Sequence, residues 1–473
     1  MKRNIVIVGF GNIGQAIIHL LQKSFADCDI IVIDQHNDGC RNSLAMRRGI
    51  VSIHCRVTSV NFEETLRPLL SSGDFLLNFA PAVSSSALLT FAQSRGAFYL
   101  DTGIEPWEYD CTLQVADTSN YALREEMLEL KRASRCATTA VVAHGANPGF
   151  VSVLVKQALS EMMSRVGTQV WPRAAPTCRE EWARLAAALD IRVIQVSERD
   201  TQEAPIANVG ERFVNTWSVS GFVTECRQDT ELGWGTHERQ LPGGAKLHRY
   251  GCRAGIRLNQ PGYQTNVKTW SPLHGEFSAY VLTHNEAISL ADYLTVGSAE
   301  QPIYRPTVYY AYRPMDMAIE TMKALVRAPD QDIVGERVLK EEITSGVDEL
   351  GVLLMSGKHG SLWYGSALSI DRARSIAPDN NATSLQVVSS VVGAMRWMLR
   401  NPAAGIVESE EIDHVDLFEY TRHYWEPIQC VATYWRPDPK SWRLEFEEFR
   451  LDPDSTGEPS DRGQDMALHT AND

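Results

Sequence analysis

The sequence predicts an α/β chain: a doubly wound parallel sheet at the amino-terminal end, followed by a second domain of α+β type. Three observations predict this. Short, continuously apolar runs alternate with amphipathic stretches through about residue 148, the pattern of strands buried on both faces and of crossover helices. A glycine-rich turn, GFGNIG, follows the first of those runs. From about residue 150 to 375 the segments lengthen, and several alternate apolar with polar residues, as strands with one covered face do.

The elements follow in order. NIVIV (4–8) reads as the first strand, the glycine turn opens a helix through about residue 25, and IIVID (30–34) is the second strand. A helix at 40–49 and strand VSIHC (51–55) come next, then a helix over NFEETLRPLL and strand DFLLNFA (74–80), which stops at Pro81. SSALLTFAQSRG is helical, AFYLDT (97–102) is a strand, and TTAVVAHGANPG (138–149) is a strand ending in an Asn-Pro-Gly turn. In the second part, 191–198, 212–225, 277–284 and 351–357 read as strands, with helices at 179–189 and 286–294. Residues 381–400 form an apolar helix stopped before Asn401-Pro402, expected to pack back on the first domain. The expected division is 1–148, 149–376, a carboxyl-terminal segment 377–450, and a polar, aperiodic, disordered tail at 451–473.

Composition narrows the function. At 44% hydrophobic and 22% charged residues, the chain has the make-up of a soluble enzyme. A net charge of −14 argues against nucleic acid, which calls for a basic face. No run of eighteen apolar residues is present, so no membrane span is expected. The basic start resembles a leader, but the apolar run is short and lacks a cleavage site. Nine scattered cysteines without a CxxC point away from disulfides and thiolate metal sites and fit a reducing cytoplasm. No metal site is expected.

Gly9-Phe10-Gly11-Asn12-Ile13-Gly14 has the form G-x-G-x-x-G between a strand and a helix, and Asp34 closes the next strand. That context makes it a dinucleotide fingerprint on a Rossmann-type sheet. Gly9 permits the tight turn, Gly11 lets backbone amides reach a pyrophosphate, and Gly14 allows close helix–strand packing. Asp34 would accept ribose hydroxyls and repel a 2′-phosphate, which favours NAD over NADP. FAD shares the fingerprint, but nothing else in the chain points to a flavin.

Several acids sit at strand ends or turns. Glu105 follows strand 97–102, and Asn147 follows the next one; carboxyl ends of parallel strands face the ligand crevice. Glu198 ends strand 191–198, Trp217 lies within strand 212–225, and Glu225 ends it. His284 closes strand 277–284, and Asp348 precedes strand 351–357. Each has an ordinary structural explanation: a surface ion pair for Glu198, a core position for Trp217, a turn for Asn147. Together they describe a site with many carboxylates, a large aromatic face and few cations, which suits a linear polyamine. A carboxylated substrate would call for convergent arginines.

The motifs GFGNIG, DTGIEPW, SNYALRE, HGANPGFVS, EEWARLA, ERDTQ, FVNTWSVSGF, ELGWGTHER, THNEAIS, VDELGVLL and WYGS are collinear, and together they resemble bacterial homospermidine synthase, of the saccharopine-dehydrogenase-like group. The resemblance runs to about residue 410. It implies a Rossmann domain, a second domain that binds substrate and forms a homodimer, and a tightly held NAD used as a prosthetic group. The implied reaction condenses two putrescines to homospermidine and ammonia. Spermidine can serve as aminobutyl donor, releasing 1,3-diaminopropane. By resemblance Glu105, Glu225 and Asp348 line the substrate path, Trp217 steadies a positive imine, and Glu198 handles protons with Asn147 or His284 positioning the amine. Asn12, Ile13, Asn78, Thr102 and Asn147 join Gly9, Gly11, Gly14 and Asp34 around the cofactor. One departure stands out: the loop Asn78-Phe79-Ala80-Pro81-Ala82-Val83 lacks an acid that the resemblance implies, which bears on the choice between putrescine and spermidine. Two other readings share the sheet, a saccharopine- or carboxynorspermidine-type reductase using free NAD(P)H and a non-catalytic NAD sensor.

Overall fold

A computed structural model describes residues 2–36, 38–107, 118–136, 138–171, 174–205, 212–327 and 335–451. The tail expected from 451 lies outside the described residues from 452 on. The amino-terminal strands form a seven-stranded, wholly parallel sheet. Its spatial order is Ile406–Glu408, Ala140–Val142, Phe98–Asp101, Phe75–Asn78, Arg3–Val8, Cys28–Asp34, Val51–His54. Arg3–Val8 lies where the order reverses, so the crevice beyond its carboxyl end is the place where such sheets bind ligands. The expected parallel, doubly wound sheet is present, with a seventh strand, Ile406–Glu408, contributed from far down the chain.

Alternate residues of these strands face two different cores. Val6, Val8, Ile33, Leu76 and Tyr99 pack beneath the helix Ser85–Ser94. Ile5, Ile7, Val32, Leu77 and Leu100 enter a larger core that continues into the second domain. The helix Ala382–Arg400 fills that continuation; Leu385, Val388, Val391, Val392 and Met395 are fully buried. It therefore packs on both halves of the molecule rather than on the first alone.

The second sheet is mixed. Its path runs Lys246–Leu247, Gly255–Pro261, Asp229–Gly233, Thr307–Arg313, Ile191–Asp200, Val347–Ser356, Gly360–Ser369, Ile428–Thr433. The hairpin of Asn266–Ser271 and Gly275–Leu282 attaches to Thr307–Arg313. Thr307–Arg313 runs parallel to Ile191–Asp200, and Val347–Ser356 runs antiparallel to it. Period-two alternation again divides the faces: Ile194, Val196, Tyr310, Tyr312, Leu350 and Val352 face the large core, while Val193, Tyr309, Ala311, Leu353 and Met355 face a third.

Several expected elements are shifted. The strand expected over 212–225 is a short strand, Phe213–Asn215, followed by the helix Val219–Arg227. Ser218 caps that helix by accepting from the Gly221 amide, and Val219, Phe222, Val223 and Cys226 form its buried face at helical spacing. Trp217 thus sits in a turn rather than within a strand, and Glu225 lies on a helix rather than at a strand end. The strand expected over 138–149 stops at Val142. Glu198 lies inside Ile191–Asp200, and Asp348 is inside Val347–Ser356. His284 is the N-cap position of helix Asn285–Tyr293, beyond the end of Gly275–Leu282.

Candidate active site

At the glycine turn, Gly9 has φ +96°, and a Cβ there would strike the backbone of Phe79 and Ala80 at the end of the neighbouring strand. A Cβ on Gly14 would collide with the Gly9 carbonyl. A Cβ on Gly11 would meet no atom of the protein within 4 Å. Two glycines are therefore needed by the fold, while the third keeps clear space at a helix start, as a pyrophosphate cradle requires. The residues present thus fit a dinucleotide. The helix is continuous through the turn at Ile17, because Ile17 donates to Ile13 and Leu21 to Ile17.

Asp34 receives the amides of Phe10 (2.6 Å) and His36 (2.7 Å) and forms an ion pair with Arg41 (2.6 Å). Its carboxylate is thus fixed beside the glycine turn, and any ribose hydroxyl would share oxygens that already accept three donors. Asn78 holds its own loop, donating to Val83 O and accepting from the Ala80 amide. Thr102 directly follows the strand Phe98–Asp101 at the same edge. Glu105 accepts the Ala82 amide at 3.1 Å, and its own amide donates to Ser85 Oγ. The acid absent from the 80–83 loop thus has a counterpart: the Glu105 carboxylate stands against that loop from the next strand over.

The remaining sequence-selected residues converge. Asn147 sits in a tight Gly145–Gly149 loop, in which its peptide with Pro148 is cis and Gly145 donates to Pro148 O. Its Nδ2 donates to Glu198 Oε2 at 3.0 Å, and Tyr310 donates to the same oxygen at 2.7 Å. Asn12 of the glycine turn donates to Thr216 O, beside Trp217. Trp217 in turn donates to Tyr312 OH at 3.4 Å, and Tyr312 stacks on Tyr310 with ring centroids 5.3 Å apart. His284 packs against Tyr310, its ring 4.3 Å away, and lies 3.1 Å from both Glu225 and Glu286.

Sheet register explains the acids. Glu198 and Asp200 share one face of their strand, and Asp348 lies opposite Asp200 on the next. Glu198, Asp200 and Asp348 are 2%, 3% and 0% exposed. Among the described residues no lysine or arginine forms an ion pair with any of them. Burial is the main cause pushing Glu198 up to about 7 and Asp200 to about 6, and it holds Asp348 well above the usual carboxylate range; repulsion among the three adds to the rise in Glu198 and Asp348. Burial alone would lower the His284 imidazole, but Glu286 and Glu225 outweigh it and hold it well above its ordinary value. His284 is therefore an imidazolium with both N–H groups engaged, unable to accept a proton from an amine.

Five residues in this cluster were not picked out from the sequence. Asp200 was readable as the second residue after Glu198, hence on the same strand face. Tyr310 and Tyr312 belong to a strand not expected from the sequence, and Glu286 falls in the first turn of the helix expected over 286–294. Thr383, which donates to Asp348 Oδ2 at 2.5 Å, carried no sequence signal.

Known proteins match the chain along nearly its whole length. Residues 5–142 match the saccharopine dehydrogenase NADP binding domain, and residues 145–428 match the saccharopine dehydrogenase C-terminal domain. The homospermidine synthase of Blastochloris viridis is 44% identical over 441 residues, 92% of each chain. That of Mesorhizobium japonicum is 39% identical over 442 residues, 92% of this chain and 91% of its own. The crystal structure of homospermidine synthase from Legionella pneumophila, in complex with NAD, superposes with a TM-score of 0.88 at 36% identity, covering 96% of this chain and 98% of that one. With fold and sequence matched along nearly its whole length, the chain belongs to the homospermidine synthase family, built on saccharopine-dehydrogenase-like domains.

Proposed function

We propose that this chain is an aminobutyl transferase that makes homospermidine from two putrescines with release of ammonia, and that spermidine can replace the donor. The observation that carries this reading is the buried set Glu198, Asp200 and Asp348, unpaired with lysine or arginine among the described residues and adjoining Trp217 at the carboxyl edge of a dinucleotide sheet. Apart from His284, which Glu225 and Glu286 already flank, such a site lacks positive charge, and a diamine supplies it. A reductase of carboxylated substrates would need arginines there instead.

Gly9, Gly11, Asn12, Ile13, Gly14, Asp34, Asn78, Thr102 and Asn147 would hold NAD. When bound, NAD supplies a hydride acceptor for the donor's α-carbon and, once reduced, a hydride for the new imine, so net redox is zero. The protein's own residues handle charge and protons. An aliphatic amine has a pKa of about 10.4, so it arrives protonated and must lose a proton before its carbon can give up a hydride. Both hydrogen-bond donors to Glu198 reach Oε2, which leaves Oε1 for that proton. A group near pKa 7 is well matched to accepting and returning protons at neutral pH. Trp217 offers a π-face to the positive imine, while Glu105, Glu225 and Asp348 line the path of the remaining ammonium groups. The amine of the second putrescine attacks the imine carbon, ammonia leaves, and the secondary imine is reduced.

Assembly as a homodimer and a cytoplasmic location complete the reading. The described cysteine side chains are free thiols, and no helix among the described residues is long and apolar enough to cross a membrane. The test is to incubate the purified protein with putrescine and no added reductant, then analyse products by mass spectrometry. Homospermidine with equimolar ammonia supports the transferase. Accumulating NADH indicates a dehydrogenase, and no conversion indicates a sensor.

A further inference from the structure

We propose that Glu198 and Asp348 share a proton in the substrate-free protein, and that a polyamine enters in exchange for it, so that binding itself produces the ionised carboxylate that acts as base. This rests on the polyamine reading above and adds the charge balance of the binding step.

The geometry supplies the argument. Asp348 is 0% exposed; Oδ2 accepts from Thr383, while Oδ1 has no hydrogen-bond partner among the described residues. A buried, unpartnered carboxylate oxygen is unfavourable unless it carries or accepts a proton. Asp200 is in a different position. The amide and side chain of Gln202 donate to Oδ1, and the Thr216 hydroxyl donates to Oδ2. Three donors favour its ionised form, so the proton falls to the pair Glu198 and Asp348.

Among the described residues, no lysine or arginine supplies the pair with a compensating cation. On its own strand Glu198 faces Asp200, and from Thr307–Arg313 it faces Tyr310 and Tyr312. Asn147 comes from the Rossmann-side loop, Thr383 from the helix Ala382–Arg400, and Trp217 from the turn before helix Val219–Arg227. His284 carries positive charge toward Glu198 from the helix Asn285–Tyr293, but its N–H groups are committed to Glu225 and Glu286. Carboxylates in one dry site without a free cation do not all ionise, and their titration belongs to the pair rather than to either residue. Burial holds both groups on the protonated side of their ordinary range.

The step balances. A diamine enters as a dication and a proton leaves the pair for solvent. The freed Glu198 carboxylate then takes the proton of the reacting ammonium.

The test is calorimetric. Protein loaded with NADH, which cannot accept a hydride from putrescine, is titrated with putrescine at pH 7 in phosphate, HEPES and Tris. The expected result is a binding heat that varies linearly with buffer ionisation enthalpy, with a slope of about one proton released per site. Affinity should weaken about tenfold per pH unit below pH 7. Asp348→Asn should cut the proton release at pH 7 to the part that Glu198 alone still carries, about half a proton. Binding heats equal in all three buffers, or unchanged proton release in D348N, would overturn the proposal and leave the polyamine reading standing. Absence of putrescine binding in every buffer would remove that reading, and this proposal with it.

Discussion

Glu198 is where charge, geometry and proton transfer meet. Its Oε2 is fixed by Asn147 and Tyr310, and burial lifts its pKa to about 7. Glu198→Gln keeps the shape and removes the base; kcat should fall by about 10²–10⁴-fold, measured by homospermidine formation with fold integrity checked by circular dichroism. The sign of the pH effect follows from the raised value. The carboxylate accepts a proton only above its pKa, so kcat/KM should drop on the acid side of about pH 7 rather than near the ordinary carboxylate range of about 4. Trp217 carries a different contribution. Trp217→Leu should lose about 1–2 kcal/mol of stabilisation of the positive imine, roughly a 5- to 30-fold fall in kcat, and Trp217→Phe should recover part of it. Glu198, Trp217 and Asp348 were singled out because acids near expected strand ends beside an aromatic residue suit a cationic ligand, although both acids prove to lie inside their strands. Asp200 was hidden within ERD, where it reads as one more surface charge until the two-residue period of the strand is applied. Tyr310 and Tyr312 lie in TVYYAYR, a β-branched and aromatic run bounded by Pro306 and Pro314, so the strand carried its ordinary signal; what the sequence could not show is that it pairs beside Ile191–Asp200.

Among elements, the glycine turn separates fold from ligand. Gly14→Ala would drive a methyl into the Gly9 carbonyl, whereas Gly11→Ala would place one in space that the protein leaves open. Gly14→Ala should therefore lower thermal stability, and Gly11→Ala should leave the melting temperature of the dinucleotide-free protein nearly unchanged while weakening retention of NAD. Thermal shift with and without NAD measures both. The parallel sheet was legible because its inner strands bury both faces, which leaves an unmixed apolar signature. The stretch FVNTWSVSGFV was not, because its apolar spacing satisfies a strand and a helix together. The N-cap signal of Ser218 and the i, i+3, i+4, i+7 series from Val219 to Cys226 decide for the helix. The order of the second sheet was beyond reach for another reason: it pairs strands distant in sequence, such as Ile191–Asp200 with Thr307–Arg313 and Val347–Ser356.

Across the whole molecule, the carboxyl-terminal segment ties the two sheets together. Ile406–Glu408 extends the parallel sheet beside Ala140–Val142, and Ile428–Thr433 extends the second sheet beside Gly360–Ser369. Arg124, fully buried on the helix Asn120–Ala133, bonds both oxygens of Glu408 and one of Asp292, joining that strand to a helix of the second domain. Arg124→Met would strand Glu408 and leave Asp292 with Arg179 alone, and should destabilise the protein by about 3–5 kcal/mol, read by denaturant unfolding, with both domains unfolding in one transition. The same integration places Asn12 of the dinucleotide turn on Thr216 O and Asn147 on Glu198, so the cofactor crevice and the acid cluster form one site. In the proposed reaction a dinucleotide in this crevice would take a hydride and return it within a single turnover. The most direct measurement supplies putrescine deuterated at both amine-bearing carbons, together with excess unlabelled NADH, and weighs the homospermidine formed. Internal return of the hydride predicts a product that keeps all the deuterium of its two parent putrescines. A product one deuterium short would show exchange with free NADH and contradict the claim.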